Sequence, residues 1–350
     1  MNSSSSNAVW LIIDSLTFGG IETHLLELAK GLKQFKTPVK VWILRQYSEP
    51  PLLLSKLQSA NIDVDYLQTS KRHYLPTLIS KIRQYSPAVV HAHGYKASLA
   101  CKLARVITGI RQVSTYHAGE TPSGRVWLYD CLDRYSAFVS SASIAVSDKI
   151  ANKLPVASQS FNNFIDSNGL ANSKGNEIAF VGRLSHEKAP DRFVELARLN
   201  QELNFHIYGD GPMSSTLRSS APTNLSFHGH QTNMDKVWQN VGILIICSRY
   251  EGLPMTAIEA MARGIIVISL DVGNLPKLIR HGQNGYMTHS MTALSDALNQ
   301  YLASDVRHRT ELKAQAVHAV NSAFSVSAVI PQLLALYFPH SCHSDYQIEK

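Results

Sequence analysis

Two loops carry the residues with chemical reach. The first is Glu251-Gly252-Leu253-Pro254-Met255-Thr256-Ala257-Ile258-Glu259, directly after the apolar run 241–247. An apolar strand followed by Pro and a helical pattern puts this string at a strand's carboxyl end, with Pro254 in the first turn of a helix. The amides near Met255–Ala257 then form an anion site at the favourable end of the helix dipole. A diphosphate seated there leaves Glu251, in the loop, and Glu259, one turn into the helix, to accept hydrogen bonds from sugar hydroxyls on either side. The second loop is Val181-Gly182-Arg183-Leu184-Ser185-His186-Glu187-Lys188. Arg183 and Lys188 can converge on one pyrophosphate, Arg as a fork of donors and Lys as a point charge. They would offset charge on a leaving nucleoside diphosphate. The plainer readings are helix-end acids for the first loop and a solvated basic loop for the second.

Weaker signals surround these. Phe18-Gly19-Gly20-Ile21-Glu22 lies between a strand and an amphipathic helix, and adjacent glycines let a backbone approach a phosphate or sugar. Gly209-Asp210-Gly211 also follows a strand, but position 214 is Ser, so a dinucleotide fingerprint is incomplete. His91 and His93 share one face of a strand, and His117 ends the next one. Three histidines suggest zinc only on paper, because no carboxylate or Cys ligand accompanies them at a helical spacing. His117, at a strand's carboxyl end, is the better candidate for touching substrate, and His91 for a core role. Asp63-Val64-Asp65 has the form of a metal-anchoring DxD but falls within an early strand, which makes it structural.

Short β-branched runs alternate with helical patterns along most of the chain, predicting parallel strands buried on both faces. The stretch 157–176 is rich in Ser, Asn and Gly and reads as a linker between two such series. At 350 residues the chain exceeds what one core usually sustains. The expected layout is a domain over 1–160, a second over 177–322, and a helical tail over 323–350 that packs back on the first. Ligands in doubly wound sheets bind outside the carboxyl ends of the strands. The longest apolar runs, 241–247 and 264–270, are too short to span a bilayer. The first residues lack the basic lead and apolar core of a signal peptide. Four scattered cysteines without CxxC suit a reducing cytoplasm. The 33 Lys+Arg against 26 Asp+Glu form no long basic run, so nucleic acid is a poor partner and an anionic small molecule or membrane surface a better one.

In order along the chain, these residues resemble the retaining glycosyltransferases of family 4. The resemblance runs through Gly19-Gly20-Ile21-Glu22, His91-Ala92-His93, His117 and Ala145-Val146-Ser147. Asn162-Asn163-Phe164-Ile165-Asp166, Val181-Gly182-Arg183-Leu184 with Lys188, Tyr208-Gly209-Asp210-Gly211-Pro212, the 248–262 string and Asn284-Gly285-Tyr286 continue it. It implies a GT-B fold of class α/β: two Rossmann-like doubly wound parallel-sheet domains facing a central cleft. It implies a cytoplasmic, metal-independent transferase without a resident cofactor, whose donor is a UDP- or GDP-linked sugar. The acceptor would be a sugar or lipid-linked glycan of cell-surface polysaccharide or glycolipid synthesis, with peripheral membrane contact and no nucleic acid. Arg183 and Lys188 would grip the donor diphosphate, with Gly19 and Gly20 closing from the other domain. Glu259, Gly209 and Gly211 would serve the nucleotide and ribose. Glu251 would hold the transferred sugar, with His117 beside it, and Gly252, Leu253, Pro254 and Met255 would line sugar and phosphate. The chain departs from the family at Lys277, where a Glu is usual. A soluble acceptor, a sugar-nucleotide epimerase and a non-catalytic binding protein are the alternatives.

Overall fold

The structure, a computed structural model, describes residues 7–16, 18–68, 73–117, 124–146 and 148–339. Ala118, Gly119, Ser147, Cys342 and the last part of the tail lie outside the described residues. The chain divides into two compact units, one of residues 1–166 with 326–350 and one of residues 167–325.

The first unit alternates strand and helix: β1 (Val9–Ile13), α1 (Gly20–Gln34), β2 (Val39–Arg45), α2 (Leu52–Ser59), β3 (Asp63–Gln68), α3 (Tyr74–Tyr85), β4 (Val89–His93) and α4 (Tyr95–Thr108). It continues with β5 (Gln112–Tyr116), α5 (Gly124–Tyr135), β6 (Ala142–Ala145), α6 (Asp148–Ala151) and β7 (Gln159–Ser160). The second unit holds β8 (Glu177–Val181), α7 (Pro190–Leu199), β9 (Phe205–Tyr208), α8 (Ser214–Ser219), β10 (Leu225–Gly229), α9 (Met234–Asn240) and β11 (Val241–Ile246). Then come α10 (Met255–Met261), β12 (Ile266–Leu270), α11 (Leu275–Leu278), β13 (Tyr286–Thr288), α12 (Met291–Ala303) and α13 (Val306–Ala323), before α14 (Val326–Tyr337) returns to the first unit.

The strands of each unit form one parallel sheet, ordered β3-β2-β1-β4-β5-β6-β7 in the first and β10-β9-β8-β11-β12-β13 in the second. Continuous apolar runs make this possible, since β1, β4, β11 and β12 are buried along their whole length. In the first sheet, alternate side chains enter two cores. Leu11 and Val41 join α1, α2 and α14 on one face, and Trp10, Ile12 and Trp42 join α3 and α4 on the other. Asp63 sits on β3 in an ion pair with Lys40 at 2.9 Å, a structural place for the DxD string.

One expectation needs correction. The stretch 157–176 is not a featureless linker. Gln159–Ser160 adds a strand to the first sheet, Phe164 is fully buried in that unit's core, and the units divide after Asp166. Three apolar residues inside a polar stretch (Phe161, Phe164, Ile165) were enough to tie it down. Helix α5 ends at Tyr135 and is followed by a 3₁₀ turn at Ala137–Val139. Among the described residues no helix is long and apolar enough to cross a membrane.

Candidate functional site

In the second sheet the winding reverses between β8 and β11, which lie side by side. Loops leaving neighbouring strands at such a switch point flank a crevice. These are the loops of Arg183/Lys188 and Glu251. They are tied together: the amides of Arg249 and Tyr250 donate to the Glu187 carbonyl at 2.9 and 3.3 Å. Arg249 also donates to the His186 carbonyl at 3.0 Å and, through both terminal nitrogens, to Asp191 at 2.9 and 2.6 Å. That guanidinium holds the Asp191 carboxyl below its ordinary range.

The tie brings two sequence-predicted residues into contact. Lys188 Nζ donates to both Glu251 carboxylate oxygens, at 2.7 and 2.8 Å, and Ser248 Oγ donates to Oε1 at 2.8 Å. The Glu251 side chain is 7% exposed and that of Lys188 32%. Residues expected to serve different parts of a donor therefore hold each other. Arg183, on the same loop, is exposed. The Glu187 carboxyl is pushed up by partial burial, yet hydrogen bonds from Ser185 and the backbone, with the charges of Arg183 and Lys188, hold it below its ordinary value.

Pro254 is extended and caps α10 from outside, one position earlier than expected; Met255 is the first helical residue. No acid occupies the first turn of α10, so its unsatisfied amides face no competing carboxylate from the helix itself. Leu253 is buried. Glu259, one turn in, accepts from Trp238 Nε1 at 3.0 Å. Trp238 is fully buried on α9, so a core residue aims the carboxylate.

The glycines sort by what surrounds them. A Cβ on Gly209 (φ +144°) would meet the Gly182 carbonyl oxygen at 1.8 Å, and one on Gly211 the Leu184 carbonyl oxygen at 2.6 Å. Backbone crowding between the loops after β8 and β9 thus accounts for both. Gly273 likewise lets the backbone of Glu251 and Gly252 pass, at 2.4 and 2.3 Å from such a Cβ. Gly252 and Gly20 meet nothing within 4 Å, and Gly19 meets only the Glu22 carboxylate at 3.6 Å. The fold leaves these three room to spare. A cleft of about 520 Å³ opens beside the Glu251 loop, lined by Arg192, Ser248, Arg249, Tyr250, Asp271 and His289 among others. Lys277 lies exposed on α11.

The first unit has its own switch point, between β1 and β4. The loop after β1 is capped by Glu22, whose carboxylate accepts from the Gly19 amide at 3.0 Å and from Ser15 at 3.2 Å. Burial raises its pKa. A pocket of about 170 Å³ opens beside it, lined among others by Asp14, Glu22, His93, Tyr95, Lys96 and His117. Asp14 takes Lys96 at 2.8 Å and the Tyr47 hydroxyl at 2.8 Å. His117 Nε2 lies 3.2 Å from His93 Nδ1, and its ring stands edge-on to His24 at 5.3 Å. Burial lowers the pKa of all three, that of His24 to about 4. His91 is a core residue, held by Tyr337 and Thr115 at 2.6 Å each. Among the described residues no group of three or more His, Cys, Asp or Glu is arranged to hold a metal ion.

Sequence reasoning did not single out Asp14, Lys96, His24, Asp191, Arg249 or Trp238. Each acts across 21 residues or more of chain, a separation that leaves no local spacing to read. Ser248 stood within the quoted string, three residues before Glu251, and its role was within reach.

The chain is similar to known proteins along both units. The family profile "Glycosyl transferases group 1" matches residues 162–318, and "Glycosyltransferase Family 4" matches residues 18–155. The D-inositol 3-phosphate glycosyltransferase of Mycobacterium leprae is 31% identical over 180 residues, 47% of this chain and 41% of that protein. The chain thus spans about two fifths of that relative's length. A Campylobacter jejuni relative is 26% identical over 318 residues, 79% of this chain and 83% of its own. Its name is GalNAc-alpha-(1->4)-GalNAc-alpha-(1->3)-diNAcBac-PP-undecaprenol alpha-1,4-N-acetyl-D-galactosaminyltransferase. Among solved structures, Anabaena HepE in complex with UDP and glucose superposes with a TM-score of 0.79 at 17% identity, covering 95% of this chain and 99% of that one. Sucrose-phosphate synthase of Thermosynechococcus elongatus gives 0.77 at 15%, covering 95% and 98%. With both units matched in sequence and nearly the whole chain matched in fold, this protein belongs to glycosyltransferase family 4 and has the GT-B fold.

Proposed function

We propose that the protein transfers a sugar, with retention and without a metal ion, from a UDP- or GDP-linked donor to a growing cell-surface polysaccharide or glycolipid. The observation that carries this reading is the joined pair of loops at the second unit's switch point. They put an exposed arginine, a lysine, an oriented carboxylate and a helix start on one sheet edge. Arg183 and Lys188 take the donor diphosphate, whose leaving oxygen they stabilise as the glycosidic bond breaks. When the diphosphate engages Lys188, Glu251 stays aimed by Ser248 and accepts hydrogen bonds from the sugar. Glu259, held by Trp238, takes the ribose hydroxyls. Gly252 to Met255 offer backbone to sugar and phosphate, while Gly209 and Gly211 shape the adjoining wall.

Within the retaining reading, the state of Glu251 favours a front-face route over a double displacement. Glu251, the acid assigned to the sugar, is engaged by Lys188 and Ser248 rather than presented as a free nucleophile. A front-face displacement, with a leaving phosphate oxygen assisting deprotonation of the acceptor, needs no enzyme nucleophile. His117, with a depressed pKa, is neutral at ordinary pH and so suited to hydrogen-bond a sugar rather than to pair with phosphate. The HepE complex, with UDP and glucose, supports the donor class, and the undecaprenol-linked substrate in the name of the Campylobacter relative supports a lipid-linked acceptor.

The test is a thermal-shift panel of UDP-, GDP- and ADP-sugars. One UDP- or GDP-sugar should raise the melting temperature of the wild type and not of Lys188→Ala. A folded wild type that answers none of them refutes the donor assignment and favours a binding protein of another kind.

A further inference from the structure

Two ion pairs join the same two segments of the second unit, and their charges run in opposite directions. Lys188, on the loop after β8, holds Glu251, on the loop after β11, at 2.7 and 2.8 Å. Three residues after Lys188, Asp191 in the first turn of α7 holds Arg249, two residues before Glu251. Both carboxylate oxygens of Asp191 take part, at 2.9 and 2.6 Å. A ligand would treat the two pairs differently. A diphosphate that engages Lys188 takes it from Glu251, so the first pair must open before the proposed chemistry starts. Arg249 commits both terminal nitrogens to Asp191, and one of them also to the His186 carbonyl at 3.0 Å. A bidentate guanidinium–carboxylate contact fixes orientation as well as distance. The second pair can stay closed while the first opens.

The backbone between Lys188 and Asp191 is strained. Ala189 has φ +53° and ψ +50°, in the left-handed region that residues with a Cβ seldom adopt. Such a residue persists only where its surroundings over-determine it, and functional sites are where that happens. Ala189 is fully buried. Its amide donates to the Ser185 carbonyl at 3.1 Å, and its carbonyl accepts from Cys247 Sγ at 3.3 Å. Arg192 holds Cys247 in turn, donating to its carbonyl at 3.1 Å. The strain therefore sits one residue from Lys188, between the lysine and the anchor at Asp191.

We propose that Asp191 and Arg249 are positioning residues, whose bridge keeps the two loops at a fixed spacing while Lys188 exchanges Glu251 for the donor diphosphate. This rests on the transferase reading and deepens it, by naming what holds the site together when its own ion pair opens. Without the bridge the left-handed turn is free to relax. Lys188 and Glu251 then lose the common geometry in which one binds the phosphate and the other the sugar of a single donor.

Hydrogen exchange and initial rates test this together. The amides of Arg249 and Tyr250, which donate to the Glu187 carbonyl, report the spacing of the loops with no donor present. In Asp191→Asn and in Arg249→Met these two amides should exchange about tenfold faster or more, while the amides of β8 and β11 keep their wild-type rates. At a temperature where every variant retains the wild-type near-UV circular dichroism, kcat/KM with the responsive UDP- or GDP-sugar should fall about tenfold or more. The double variant should lose no more than the worse single variant, because both substitutions remove one bridge. Unchanged exchange in both single variants overturns the proposal. So does faster exchange with wild-type kcat/KM, which would make the bridge a fastener with no part in positioning, and so do additive losses in the double variant. Nucleotide-sugar binding with unchanged exchange removes the bridge alone. Accelerated exchange in the variants of a protein that answers no nucleotide sugar keeps the bridge and removes the transferase reading.

Discussion

A lysine that already holds a carboxylate must be shared before it can meet a diphosphate, and that couples Lys188 to Glu251. Lys188→Ala should cut kcat/KM about a hundredfold, the scale of losing one preorganised charge contact to the transition state. Glu251→Ala should cost as much in kcat while weakening donor binding less, since it removes a sugar contact and leaves the lysine for the phosphate. Initial rates with a responsive donor decide; either variant within about threefold of wild type removes that residue from the site. The glycines separate in the opposite direction. Gly209→Ala should destabilise the second unit by more than about 2 kcal/mol in urea denaturation, because its Cβ has no room and its φ is strained. Gly20→Ala, at the start of α1 with nothing within 4 Å, should leave stability equal or raise it by about 0.5 kcal/mol. It should nevertheless slow transfer if that loop approaches the donor. A large loss of stability in Gly20→Ala would contradict the open space there.

Among elements, α14 shows how far the chain travels to complete a core. Val326, Val329, Ile330, Leu333 and Leu334 are buried against the first unit's sheet and α1. Gly31 of α1 admits them: a Cβ there would stand 2.7 Å from Ile330 Cδ1. The helix also satisfies a buried polar group, since the Tyr337 hydroxyl meets His91 at 2.6 Å. Tyr337→Phe should therefore cost about 1–2 kcal/mol in denaturant titration, the penalty of orphaning a buried imidazole nitrogen. A neutral substitution would mean that His91 finds another partner. Deleting 326–350 should leave the first unit unable to fold, an outcome visible as lost near-UV signal and exposed apolar surface.

At the scale of the molecule, the two units differ in how they answer acid. The first unit buries His24, His91 and His93 and half-buries His117, with neighbouring ring centres 4.3 to 5.8 Å apart, and desolvation depresses all four, to about 4 for His24 and about 3 for His91. Above about pH 6.5 these rings are neutral in both folded and unfolded chains and stability is flat. Below it the unfolded chain takes protons that the folded chain refuses, so stability falls as pH falls toward about 4. Each histidine contributes at most about 1.4 kcal/mol per pH unit across that window. Calorimetry should show the first unit's transition moving down between about pH 6.5 and about pH 5 faster than the second's. Equal movement of both would place the titration elsewhere.

Periodicity and punctuation were enough to read the strand–helix alternation, because a buried parallel strand must be apolar throughout and a helix must present a stripe. They also placed Arg183, Lys188, Glu251 and Glu259 at strand ends and helix starts, since those positions follow from local order alone. Order along the chain could not show that Lys188 and Glu251, 63 residues apart, close on each other, that Trp238 aims Glu259, or that Gly209 answers to Gly182. Side-chain identity and spacing are one-dimensional quantities and determine which elements form and what chemistry their ends carry. Sheet order decides which loops emerge together and which helix faces stay uncovered, and that order arises only when distant strands compete for burial in one core.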